Sequence, residues 1–194
     1  MNSKQLIGYI GVIGSGKDYR CLNDLKNGNS FKFDFSDGVR ELTFGFFGMK
    51  YLSGGEYEEW KLKEHDLSIR GKPEKIQGRK FLENVGITMR RYKNDFWAKY
   101  CAKKIYNFFS KEGGKIAIVN AIRYIEEVEY VLKVANLNDV ECKFIFCDYH
   151  SERYEIRDDD SEKFAQLFIK KGYQDGDDIT KEVLNLVEKH NHNK

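Results

Sequence analysis

The alternation of apolar and polar positions along the chain predicts short strands separated by helices. A brief apolar run at 6–10 ends in a glycine-rich turn, after which Tyr19, Leu22 and Leu25 recur at three-residue steps. That order indicates a buried strand, a loop and a helix. Residues 31–35 alternate apolar and polar side chains with period two, which predicts a second strand.

Two further apolar runs, at 115–119 and 142–147, predict strands, and a predicted helix lies between them in the sequence. Ile125, Val128 and Leu132 mark one face of this helix at helical spacing. A strand, a helix and a second strand in this order form a crossover unit, and crossover units join parallel strands. The pattern therefore predicts an α/β fold with a mostly parallel sheet.

The rest of the chain divides less clearly into elements. Helical spacing of apolar residues also occurs at 38–48, 78–92, 95–110, 161–171 and 179–189. The segment 52–71, with two adjacent glycines and many charges, is the least regular and is predicted to be a flexible insertion. A fifth core strand near 170–174 stays open, because the apolar run there is poor.

Composition limits the class of protein. The 194 residues suffice for one sizeable core, so we expect a single domain over 1–194. The sequence has neither an apolar run long enough to span a bilayer nor a signal-peptide pattern, which favours a cytoplasmic protein without a membrane partner. The four cysteines form no C-x-x-C pair, which suits a reducing compartment and argues against zinc.

The charge balance bears on partners. A net charge of +2 and a pI near 8.2 give a weak basic bias. This bias fits a small anionic substrate and argues against a nucleic-acid partner, which would require a basic groove. The number of chains that assemble stays open, with a homodimer as one option.

The stretch GVIGSGKDY at 11–19 carries the clearest chemistry. It meets the pattern G-x-x-x-x-G-K-[ST] at Gly11, Gly16 and Lys17, but Asp18 stands where a hydroxyl is expected. Between a strand and a helix, such a loop lets backbone N–H groups converge on a phosphate at the positive end of the helix dipole. The alternative is a plain strand-to-helix turn. Asp18 either meets Mg²⁺, directly or through water, or caps the helix.

With this loop, the chain resembles the bacteriophage deoxynucleoside monophosphate kinases and the animal-type phosphomevalonate kinases, in which G-K-D replaces G-K-[ST]. Three more stretches extend the resemblance in the same order: FSDGVREL at 35–42, GRKFLENVGITMRRYKNDFWAKY at 78–100 and IRYIEEVE at 122–129. They are similar to the family segments F-A-D-P-L-K, G-R-x-x-L-Q-x-x-G-T and D-x-R-F-x-N-E. Together they cover most of the chain from residue 5 to 130.

The resemblance implies a P-loop kinase fold, with helices on both faces of the sheet, an acceptor region at 36–100 and a lid at 150–162. The implied reaction moves the γ-phosphoryl group of ATP, with Mg²⁺, to a (deoxy)nucleoside monophosphate. The implied ATP-binding residues are Gly11, Gly14, Ser15, Gly16, Lys17, Asp18, Tyr19 and Arg157, with Asp18 also on the metal. The implied acceptor-binding residues are Asp37, Arg40, Arg79, Glu83 and Arg91. Catalytic roles are implied for Lys17, Arg123 and Arg153. The family also implies a viral or mobile-element origin, and hence the host cytoplasm.

For the arginines, a surface role is the alternative to phosphate binding. Without the resemblance, Arg79, Arg90 and Arg91 would be interpreted as part of a solvated helix face, as charge runs usually are. Arg153 and Arg157 lie four residues apart and would share a helix face, either in a lid that closes over phosphates or in surface pairs with acidic neighbours. Trp97, beside Phe96, is predicted to be core packing instead of a base-stacking surface.

Two departures from the family pattern concern the acceptor and the metal. Ala121 stands where the family has the aspartate of D-x-R, and whether Asn120 or Asp148 substitutes for that aspartate stays open. Glu83 and Ile87 replace a glutamine and a threonine, so the base or sugar preference is open. Rival functions are a kinase acting on a modified base in DNA or a small phosphorylated metabolite, and a nucleotide-binding protein without transfer activity.

Overall fold

The computed structural model describes residues 4–25, 30–69, 72–148 and 162–193. Its strands are β1 Gln5–Ile10, β2 Ser30–Asp34, β3 Glu64–Ile69, β4 Lys72–Gln77, β5 Ile116–Ile122 and β6 Glu141–Phe146. Its helices are α1 Lys17–Leu25, α2 Asp37–Phe46, α3 Gly54–Leu62, α4 Gly78–Tyr92, α5 Phe96–Ser110, α6 Ile125–Leu137, α7 Lys163–Lys170 and α8 Thr180–His192. Among the described residues, no helix combines the length and apolarity needed to span a bilayer.

Four strands form one parallel sheet in the order β2-β5-β1-β6. β1 lies in its interior, where Leu6 pairs with Ala117 of β5 on one side and with Cys142 of β6 on the other. A parallel sheet must be covered on both faces, and the nearly continuous apolar run of β5, buried from Ala117 to Ile122, meets that need. The predicted α/β fold with a mostly parallel sheet is confirmed.

Successive residues of β1 point to opposite faces of this sheet. Leu6 and Ile10 pack into the large core formed with α5, α6, α7 and α8, whereas Tyr9 packs with Cys21 of α1 on the other face. The crossover from β1 through α1 to β2 and the crossover from β5 through α6 to β6 therefore use opposite faces and run in opposite directions. In open α/β sheets, ligands bind at the carboxyl ends of strands where the crossovers reverse in this way, which here are β1 and β5.

Residues 170–174 contain the end of α7 and the turn that follows it, so they hold no strand. The chain then returns to the sheet through an isolated antiparallel bridge between Ile145 and Asp178. Among the described residues, the main sheet therefore has no fifth strand at this position.

The chain divides into two compact units, one of residues 1–35 and 98–194, the other of residues 36–97. The limits of the second unit fall close to the predicted acceptor region, and the single-domain organisation stays a prediction. The second unit contains α2, α3, α4 and the β3–β4 hairpin around a small core of Phe44, Trp60 and Leu82. The ring centroids of Phe44 and Trp60 are 5.1 Å apart in an edge-to-face arrangement.

The predicted flexible insertion at 52–71 is wrong. Most of it forms α3 and β3, and β3 pairs with β4 in antiparallel register from Glu64↔Gln77 to Ile69↔Lys72. The pattern concealed both elements because α3 buries only Trp60 and because charged residues dominate the hairpin. Neither element therefore carries the apolar stripe or strict alternation on which a sequence-based assignment relies.

Candidate functional site

The loop between β1 and α1 lies at the carboxyl edge of the sheet, where β1 ends. Gly14 and Gly16 have φ angles of 86° and 83°, which side chains with a Cβ rarely adopt. A Cβ on Gly11 would stand 2.5 Å from the carbonyl oxygen of Cys147 and 2.5 Å from Ser15 Oγ. The three motif glycines are therefore required by backbone conformation and close packing.

Lys17 begins α1 and folds back over the loop. Lys17 is 5% exposed, and its Nζ donates a hydrogen bond of 2.9 Å to the carbonyl oxygen of Val12. Burial, and next the nearby charge of Arg123, lower the pKa of Lys17 below that of an ordinary lysine. A cation held over the loop in this way can accept an anion with little rearrangement.

Ser15 is completely buried, and its Oγ has no hydrogen-bond partner among the described residues. A buried hydroxyl without a partner is disfavoured by roughly 1–3 kcal/mol, so it usually indicates a missing ligand or water. The hydroxyl, the converging loop and Lys17 together form a set of groups that suits a phosphate.

Asp18 is exposed and accepts hydrogen bonds from two side chains. Lys32 Nζ lies 2.9 Å and Asn120 Nδ2 2.6 Å from the same oxygen, Oδ1. Partial burial opposes the charge, but the bond to Lys32 and its positive charge, followed by Lys17 and Asn120, bring the pKa of Asp18 below its usual value. With both donors on Oδ1, Oδ2 has no such partner in the part of the chain that the structure describes.

A bulge in β5 places Asn120 against Asp18. The pairing of β1 with β5 shifts register between Gly8 and Ile10, and Ala121 has a φ angle of 57°. Asn120 is 1% exposed, and its Oδ1 has no hydrogen-bond partner among the described residues. Of the two residues considered as substitutes for the missing aspartate, Asn120 thus contacts Asp18, whereas the backbone N–H of Asp148 donates to Asp175 Oδ1.

Arg123 follows β5 at the start of α6. The backbone N–H groups of Arg123 and Tyr124 both donate to Glu127 Oε2, at 2.7 and 3.2 Å, which fixes this turn. No described acidic side chain forms an ion pair with Arg123, although its charge acts on Lys17. The structure therefore brings together Lys17, Asp18 and Arg123 of the predicted set.

Three residues at this edge of the sheet escaped sequence analysis. Lys32 occupies a polar position in the alternating pattern of β2, and that alternation is its only sequence signal. Arg20 of α1 forms an ion pair of 2.7 Å with Asp175, and Glu162 accepts a hydrogen bond from the backbone N–H of Ile13.

Tyr19, predicted to bind ATP, is 61% exposed on α1. Arg153, Arg157 and all of the predicted lid except Glu162 lie outside the described residues.

The predicted acceptor residues lie in the second unit. Arg40 forms an ion pair with Asp37 on α2, and its guanidinium carbon is 5.5 Å from the ring centroid of Tyr51 and 5.2 Å from that of Tyr57. Tyr51 OH also donates to Asp37 Oδ1 over 3.1 Å. The arginine is thus fixed in orientation by a carboxylate and two aromatic rings.

α4 carries the other acceptor candidates. Arg79 Nε and Glu83 Oε1 are 3.4 Å apart on an exposed face, while Arg91 is exposed in the last turn of the helix. Trp97 is 5% exposed, and its Nε1 donates to the carbonyl of Gly86 over 3.1 Å. Trp97 is therefore core packing, as predicted.

Comparisons with known proteins add little to this geometry. No protein-family model matches the chain. Cytochrome P450 71B25 of Arabidopsis thaliana is 28% identical over 129 residues, which are 66% of this chain and 23% of that protein. The chain therefore spans about a quarter of that relative's length.

Two solved structures are similar in part. A chain of the Pnkp1/Rnl/Hen1 RNA repair complex has a TM-score of 0.44 and 12% identity, over 91% of this chain and 48% of that one. The APS kinase CysC of Mycobacterium tuberculosis has a TM-score of 0.34 and 16% identity, over 88% of this chain and 97% of that one. None of these likenesses shows a family, and the site rests on its own geometry.

Proposed function

We propose that the chain is a P-loop kinase that transfers the γ-phosphoryl group of ATP to a (deoxy)nucleoside monophosphate. The observation that carries the proposal is the loop at 11–16, which combines two left-handed glycines, a buried Lys17 and the unpartnered hydroxyl of Ser15 at the carboxyl edge of a parallel sheet. The resemblance of four stretches to the phage-type kinases supports the choice of acceptor.

The transfer breaks the bond between the γ-phosphorus and the β,γ-bridging oxygen and forms a bond to a phosphate oxygen of the acceptor. ADP leaves, and the acceptor becomes a diphosphate. Such chemistry depends on alignment and on cations that stabilise the charge of the moving group. In this proposal Lys17 and Arg123 supply that charge, while the N–H groups of the loop hold the β-phosphate.

The residues around Asp18 fit Mg²⁺. The carboxylate Oδ2 of Asp18 and the buried Oδ1 of Asn120 are hard oxygen ligands without partners among the described residues. In the described ranges, no group of three or more His, Cys, Asp and Glu side chains could hold a metal. Mg²⁺ is commonly bound by one or two carboxylates together with substrate phosphates, and when bound it would offset the negative charge of those phosphates.

For the acceptor, we propose that Arg40, Arg79 and Arg91 take its phosphate, because guanidinium groups bind phosphate through paired hydrogen bonds. Asp37 would orient Arg40, and Glu83 would contact the base or sugar. Arg153 and Arg157 would complete the phosphate contacts from the proposed lid.

The reaction is tested by ADP release in a coupled assay with ATP, Mg²⁺ and a panel of ribo- and deoxynucleoside monophosphates. Turnover with at least one of them supports the proposal, and well-folded protein that turns over none of them contradicts it. Ala121, in place of an aspartate, favours a second candidate, a nucleotide-binding protein without transfer activity. That candidate predicts ATP binding by calorimetry with no phosphorylated product.

The metal ligand is tested with Asp18→Asn, which keeps the shape of the side chain and removes its charge. We expect the Mg²⁺ concentration for half-maximal activity to rise by about 10- to 100-fold, the range typical when hydrogen-bonding partners of metal ligands are lost. The exposed Glu112→Gln is the matched control and should leave the Mg²⁺ titration unchanged. Identical Mg²⁺ titrations for Asp18→Asn and the unchanged protein would show that Asp18 is not a ligand of the metal.

A further inference from the structure

Glu162 is a buried carboxylate that reaches the loop from a distant part of the chain. It lies immediately before α7 and is 2% exposed. Its Oε1 accepts a hydrogen bond of 2.8 Å from the backbone N–H of Ile13. The side chain does not cap α7, although its position would allow that role. It is therefore directed at the loop instead of at its own helix.

The position of Glu162 is fixed by packing. Phe164 and Phe168 of α7 are buried in the large core, and the backbone N–H of Gln166 donates to the carbonyl of Glu162. Because α7 is held in this way, its first turn presents the carboxylate at a set distance from the loop. An acceptor on such a support can fix a backbone group precisely enough to matter for ligand binding.

The loop is held at two consecutive residues. The carbonyl of Val12 accepts hydrogen bonds from Lys17 Nζ and from the backbone N–H of Ser15, both within the motif. The N–H of Ile13 is held by Glu162, which is 149 residues away in the sequence. A carboxylate is a costly choice for a buried position if only packing is needed, because removing its charge from water is unfavourable. Its presence indicates a role for the hydrogen bond.

We propose that Glu162 is a positioning residue for the phosphate loop, which it holds in the conformation that binds ATP. This inference rests on the proposed function. By fixing the N–H of Ile13, while the N–H of Ser15 is bonded to Val12 within the loop, Glu162 keeps Gly14, Gly16 and the first residues of α1 in place for the ligand. Without this bond, ATP must order the loop as it binds, so its affinity falls while the rate of the bound complex changes little.

The test compares Glu162→Met with Glu162→Gln, whose side-chain oxygen still accepts a hydrogen bond. Calorimetry with ATP should show binding about tenfold weaker for the methionine variant, in line with loss of one hydrogen bond to a charged acceptor, and near-normal binding for the glutamine variant. In turnover, the KM for ATP should rise without a matching fall in kcat. Ile105→Val, a core change on α5 away from the loop and from α7, is the control that lowers stability without changing ATP affinity.

Hydrogen exchange in the nucleotide-free protein gives a second measurement that does not depend on ATP. Amides at 11–17 should exchange faster in Glu162→Met than in Glu162→Gln. Equal exchange in both variants, or a glutamine variant as impaired as the methionine one, would overturn the inference. If the methionine variant does not fold, Glu162→Asp, which is one methylene too short to reach Ile13, takes its place. Failure of the unchanged protein to bind ATP would instead refute the proposed function.

Discussion

Lys17→Met is expected to weaken ATP binding by about 100-fold or more, because truncating a buried charge that contacts another charge costs several kcal/mol. The same change should not lower the thermal midpoint. Lys17 is a desolvated cation whose Nζ donates to a neutral carbonyl, and an apolar side chain of similar volume often replaces such a charge without loss of stability. Calorimetry with ATP and a thermal melt measure the two effects separately.

The control for this variant is Lys181→Met, at an exposed position of α8. It should bind ATP like the unchanged protein. A second check follows from the lowered pKa of Lys17: in the unchanged protein, the charge and the ATP affinity that depends on it should be lost at a lower pH than for an exposed lysine. Unaltered ATP binding in Lys17→Met would refute the phosphate site itself.

Gly11→Ala is expected to lower the free energy of unfolding by about 2 kcal/mol and to abolish tight ATP binding, because overpacking a closed site typically costs about 1–3 kcal/mol. The new Cβ would stand 2.5 Å from the backbone carbonyl of Cys147, which cannot turn aside as a flexible side chain would. Urea unfolding and calorimetry with ATP provide the measurements.

Gly45→Ala is the matched control, since a Cβ at this position of α2 meets no atom within 4 Å. It should raise the free energy of unfolding by up to about 1 kcal/mol through helix propensity and leave ATP binding intact. If both alanines behaved alike, close packing at Gly11 would not be the reason for that glycine.

The main sheet could be predicted from sequence largely because β5 and the second half of β6 are buried on both faces. Continuous apolar runs such as those of β5 and β6 are visible without any tertiary information, and the helices between them bury one regular stripe. The loop could be predicted because Gly14 and Gly16 serve a local backbone conformation that is encoded within the motif.

The partners of the loop could not be predicted in this way. Lys32 meets Asp18 because a strand and a helix are brought side by side by the sheet, and Glu162 meets Ile13 across 149 residues. No sequence pattern predicts the bulge at Ala121. This residue has a positive φ angle, and Asn120 beside it contacts Asp18. These contacts depend on tertiary structure, which hydrophobic periodicity does not report.

The strand order β2-β5-β1-β6 also affects how the molecule is made. β1 and β2 are neighbours in sequence but never pair with each other, since β5 lies between them and arrives only after the residues of the second unit. Long-range pairings of this kind form late, because a large loop must close before they gain any contact. During synthesis, the motif at 11–19 therefore leaves the ribosome well before β5, and we expect it to acquire its structure only when β5 has followed. A nascent chain that stops before residue 116 has the complete motif and no sheet on which to hold it.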